Sequence, residues 1–219
     1  MSGRGLLAVA LVVLVACGGD DGPAAGEADA EEHPLAGVTL QPEDVPADLE
    51  ADPEETGPAP GIRALLPRRR QFPSLPPLPD GLAAGFGDGY RAGYAVSGQL
   101  GAVPPPPQEG QVTFATSTVA RMDDQGTAAD LFDYLMSLHL GVEASLPCDE
   151  VPAAGLGDER YGWHKGVDIS GPEVRGTESF GYVWRRGEMV LTVTLGGAPG
   201  AVSSETARDL AGAVDARAG

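Results

Sequence analysis

Cysteine is almost missing from this chain: its 219 residues hold two, Cys17 and Cys148. A multi-disulfide scaffold is thereby excluded, so a fold has to be held by burial. Long apolar runs are missing too. The longest, Leu6 to Ala16, has eleven residues, whereas a membrane-spanning helix takes about twenty. Basic residues are absent from Gly18 to Pro60, where thirteen Asp and Glu face no Lys or Arg. The formal net charge is −18, a balance that argues against nucleic acid as a partner. No heptad run, solenoid period or βαβ repeat is present.

What is present begins at the N-terminus. Arg4 supplies a positive charge, Leu6 to Ala16 an apolar run, and Leu14-Val15-Ala16-Cys17 a small-residue end. These are the three regions of an export signal. The cysteine directly after the small residue makes the segment resemble the lipobox of bacterial lipoproteins. That resemblance implies cleavage after Ala16, lipidation of Cys17, and a place on the extracytoplasmic face of the cell membrane. Several acyl chains hold a protein on a bilayer far longer than one. With Cys17 acylated, Cys148 has no partner for an internal bridge, and it reads as a small, partly buried thiol.

The acidic residues 17–34 are rich in Ala and Gly and lack aromatics, so they offer too little apolar surface to offset chain entropy. They read as a disordered stalk pushed away from an anionic surface. Residues 35–49 read as the opening element of the domain, with Val38, Leu40, Val45 and Leu49 turned inward around a turn started by Pro42. Leu40-Gln41-Pro42-Glu43-Asp44-Val45-Pro46 is similar to the "L-x-P-E-D-L-P" opening of uncharacterised envelope lipoproteins. Residues 50–80 are Pro-rich and read as a loop or linker without regular structure. Arg68-Arg69-Arg70 within it reads as a solvated run able to pair with the stalk, the alternative being a contact with anionic wall polymer or lipid headgroups.

Residues 81–219 carry the packed domain. Tyr90, Ala92, Tyr94 and Val96 alternate, as do Val112, Phe114, Thr116 and Thr118, giving two strands. A helix starting at Thr127 places Leu131, Tyr134, Leu135 and Leu138 on one face. Tyr161, Trp163, Val167 and Ile169 occupy odd positions of a third strand. Phe180, Tyr182 and Trp184, a turn at Arg185-Arg186-Gly187-Glu188, and Met189, Leu191, Val193 and Leu195 make a hairpin. A last helix opens near Ser203 and buries Ala207, Leu210 and Val214. The fold class is α+β: an antiparallel sheet of about five strands, with one long and one C-terminal helix packed on it. Trp184 and Leu191 are placed to pack against the Leu131-Leu135-Leu138 face.

Chemistry is hard to find. His33, His139 and His164 lack the spacing of metal ligands. Ala95-Val96-Ser97-Gly98 lacks the first glycine of a nucleophile elbow. Gly85-Phe86-Gly87-Asp88-Gly89 precedes a strand instead of opening a phosphate-binding helix. Asp123-Asp124, Asp149-Glu150 and Asp158-Glu159 are adjacent in sequence, as in solvated turns, and do not have calcium-loop spacing. No catalytic, metal or cofactor residue is assigned. Tyr161, Trp163, Tyr182 and Trp184, on neighbouring strands, form a candidate binding surface; packing in the core is the competing use of them.

The reading is a lipid-anchored, non-catalytic binding module whose partner is an unknown protein, glycan or apolar ligand. An envelope hydrolase and a carrier of an apolar ligand are the alternatives.

Overall fold

The computed structural model describes residues 33–65, 77–96, 107–140, 148–166 and 176–219. Cys17 and its leader, residues 18–32, Arg68 to Arg70, Ser97, Gly141, Val167 and Ile169 lie outside them. The described chain builds eight strands: β1 (Leu49–Ala51), β2 (Gly57–Pro58), β3 (Phe86–Val96), β4 (Val112–Met122), β5 (Cys148–Val151), β6 (Glu159–Lys165), β7 (Glu178–Arg186) and β8 (Met189–Gly197). Four α-helices accompany them: α1 (Ile62–Leu65), α2 (Asp80–Ala84), α3 (Gln125–Leu140) and α4 (Ser204–Ala218). All strand pairs are antiparallel, in the order β1-β3-β4-β8-β7-β6-β5, with β2 also on β3.

The expectation of about five strands is therefore too low, although the α+β class holds. The five alternating segments are present as β3, β4, β6, β7 and β8. The three additional strands have two to four residues each and lie at the edges of the sheet. Such short pieces carry no alternation to read; a neighbouring long strand supplies their partners.

The packing of the helices differs from expectation in one respect, the side on which Trp184 and Leu191 lie. The helices lie on opposite faces of the sheet, giving three layers. Tyr182, Trp184, Leu191, Val193 and Leu195 pack with Ala207, Leu210, Ala211 and Val214 of α4. Val183, Val190, Tyr161 and Trp163 pack with Ala128, Leu131, Phe132, Leu135 and Leu138 of α3. Trp184 and Leu191 are opposite one another in register, but they belong to the α4 side, not the α3 side. Successive strand residues point to opposite faces, and β7 is buried continuously from Ser179 to Trp184, as a strand covered on both sides must be.

The opening element lies on the α4 side. Leu35, Leu40, Val45 and Leu49 are buried there, with Val38 partly buried against them. A 3-10 turn at Ala36–Val38 begins the element. The Leu40 N–H donates to Ser117 Oγ (2.8 Å), and the Tyr94 hydroxyl donates to the Leu40 carbonyl (3.1 Å). At the Pro42 turn, Asp44 Oδ2 accepts the Gln41 N–H (2.8 Å) and the Arg217 guanidinium (2.6 Å). The last turn of α4 thus clamps the opening element.

Residues 49–65 are more ordered than their proline content suggests. β1 and β2 pair with the outer edge of β3, where a proline's missing N–H costs no ladder bond. The Asp52 N–H donates to Gly93 O (2.8 Å), Arg91 bonds Glu55 and the Ala64 carbonyl, and Ile62 is buried.

Both long helices start with a side-chain cap. The Thr127 N–H donates to Asp124 Oδ1 (2.8 Å), so α3 begins two residues before the expected Thr127. Ser203 Oγ accepts the Thr206 N–H (3.1 Å) at the start of α4. Either cap satisfies one of the orphan donors of a first turn.

Candidate functional site

The four aromatics proposed as one surface are divided by the sheet. In register, Tyr161 faces Val183 and Trp163 faces Gly181, which places Tyr161 and Trp163 on the α3 side and Tyr182 and Trp184 on the α4 side. Their exposures are 7%, 8%, 1% and 0%. They do not line a common groove. Trp163 lies over Gly181 so closely that a Cβ there would sit 2.2 Å from the indole ring. The Tyr182 hydroxyl donates to Ser204 O (2.9 Å), and burial pushes the hydroxyls of both tyrosines above their usual titration range.

Trp184 has a polar partner that sequence inspection did not identify. Asp215, on the buried side of α4, accepts the Trp184 indole N–H at Oδ1 (2.9 Å). Its two oxygens also receive Arg186 Nε (2.9 Å) and Nη2 (2.5 Å). The network ties the end of the β7–β8 hairpin to α4. The only sequence signal was an acid beside Val214, on the apolar stripe of a helix.

A second polar cluster forms where β5, β6 and β7 meet. His164 Nε2 is 2.8 Å from Glu178 Oε1, and Nδ1 is 3.8 Å from Asp149 Oδ2. The imidazole stacks on Phe180 at 4.4 Å between centroids. Glu178 Oε2 accepts the Gly200 N–H (2.8 Å) in the turn before α4. Glu178 was missed because it lies 14 residues from His164, and only strand pairing unites them. A carboxylate-oriented imidazole is one part of a catalytic constellation; a nucleophile within reach is another.

Cys148 does not supply that nucleophile. It faces Lys165 in register, on the opposite side of the sheet from His164. Burial pushes its thiol above the usual value, although Lys165 pulls the other way, so the reactive thiolate is disfavoured.

The remaining sequence candidates have structural duties. Asp158 Oδ2 accepts the Gly187 N–H (2.9 Å), and Glu159 Oε2 accepts from Arg185 (2.8 Å). Asp124 caps α3, and the Thr127 N–H first, then its hydroxyl, hold that carboxyl below its usual value. His33 Nε2 lies 3.2 Å from Asp88 Oδ1 and its ring is tilted against Tyr90, so His33 belongs to the domain and not to a free stalk. His139 falls in the last turn of α3. Among the described residues, no three His, Cys, Asp or Glu come together in a metal-holding arrangement, and no helix is long and apolar enough to cross a membrane.

The concave feature of interest lies on the α3 side. α1 covers β3 and β4 while α3 covers β4, β8 and β7. Between the two helices is a gap of only about 10 Å³, room for a single water, lined by Ile62 and Leu65 of α1, Leu131 and Leu135 of α3, and Thr118, Ala120 and Val190 of the sheet. Thr118 shares a hydroxyl–hydroxyl bond of 2.7 Å with Thr192, its partner on β8. None of the seven lining residues is charged. The sequence reading missed this cleft because one wall is a four-residue helix inside the supposed linker.

No protein-family model matches the chain, and no curated protein matches it significantly.

Proposed function

We propose that this is a lipid-anchored protein of the extracytoplasmic face of the cell membrane, carrying one domain that acts by binding and not by catalysis. The anchor part of the reading rests on the lipobox-like Leu14-Val15-Ala16-Cys17. The binding part is carried from the sequence reading, with the uncharged gap between α1 and α3, about 10 Å³ as it stands, as the place where a ligand would have to open room. Ligand sites are commonly concave and mostly apolar, with a few polar groups. Of the three partner classes open to the sequence, an apolar ligand suits this lining best. A glycan needs several free donors and acceptors, and Thr118 brings the one polar side chain in this lining, its hydroxyl bonded to that of Thr192.

Two measurements test the reading. Cys17→Ser should move the protein from the membrane to the soluble fraction; unchanged membrane retention would refute the anchor. The environment-sensitive dye N-phenyl-1-naphthylamine should bind the purified protein with enhanced fluorescence. Leu135→Trp, which adds bulk to one wall, should lower that binding several-fold with the circular dichroism spectrum unchanged. Equal binding by the folded variant, or no binding by the wild type, would overturn the cleft as the site.

A further inference from the structure

We draw no further inference here: the strongest candidate, the side-chain cluster of His164, Glu178, Asp149 and Phe180 where β5, β6 and β7 meet beside the β8–α4 turn, is accounted for by its own internal pairing and stacking, and nothing in the structure points to a ligand, partner or reaction for it.

Discussion

Replacing Asp215 tests whether Trp184 is a structural pin or part of a ligand surface. The Asp215 side chain is 8% exposed and Trp184 is fully buried. In Asp215→Ala the indole N–H is left without its acceptor in a place water does not reach. An unsatisfied buried donor costs about 1–3 kcal/mol. The second loss is the Arg186 pair, and it is smaller. The Arg186 side chain is 37% exposed, so its guanidinium regains water, and the pair contributes about 1 kcal/mol or less, as surface pairs do. Together the variant should lose about 1–4 kcal/mol, a sizeable part of the stability of an ordinary domain.

The assay is urea unfolding followed by far-UV circular dichroism, so that removing an indole does not remove the signal. Wild type, Asp215→Ala, Trp184→Phe and the double variant form a cycle. Residues sharing one hydrogen bond to a charged group should couple by about 1–3 kcal/mol. Additivity to within about 0.5 kcal/mol would refute the network. Trp184→Phe should also leave dye binding unchanged, because Trp184 lies on the α4 side, away from the cleft. A large loss of binding with little loss of stability would restore it as a ligand contact.

Two further outcomes follow from packing and charge. Burial tends to raise the Asp44 carboxyl, but the Arg217 hydrogen bond, the Gln41 N–H and the Arg217 charge outweigh it, so its folded value lies below the unfolded one. The clamp on the opening element should therefore contribute fully above the unfolded value of about 4 and be lost as pH falls through the folded value. Stability measured from pH 7 down to pH 2 should show this loss, and Asp44→Asn should be weaker at pH 7 and flatter below pH 4; an identical acid limb in both proteins would contradict the assignment. Gly181→Ala places a methyl group 2.2 Å from the Trp163 ring; overpacking should cost about 1–3 kcal/mol in the same urea assay, and a neutral effect would mean that Trp163 does not occupy that position.

Local pattern made the long elements legible, while pairing across long connections was not. The β7–β8 hairpin closes through two residues, with Arg186 opposite Met189, and Gly187 adopts φ +58° in that turn, a conformation easy for glycine. So short a loop leaves little freedom in register. Trp184 and Leu191 could accordingly be placed on one face from sequence. The β6–β7 connection has no such short turn. Whether Tyr161 shares a face with Tyr182 or with Val183 depends on a register that the intervening residues do not reveal, and a one-residue change moves every side chain to the other side. The two-sided burial did leave a trace. Phe180, Gly181, Tyr182, Val183 and Trp184 contain no charged residue, whereas a half-exposed strand would place polar groups at every second position. Asp215 and Glu178 were opaque for a related reason, since each meets its partners only through tertiary packing.

The covering of both sheet faces also limits where recognition can occur. A one-sided sheet would leave its outer face free, and an aromatic row on that face would be available to a partner. Here α4 with the opening element covers one side and α3 with α1 covers the other, so the aromatics of β6 and β7 are used in two separate cores. Among the described residues, the gap between α1 and α3 arises from a mismatch in cover. α3 has sixteen residues and α1 has four, and the shorter helix does not close the space beside its neighbour. Apolar groups bordering such a space lose dispersion contacts on that side, but at about 10 Å³ the space takes in a small apolar molecule only if α1 moves. On the proposed reading, apolar surface uncovered by such a movement would select the ligand, while the acidic segment between Cys17 and the domain would set its distance from the membrane.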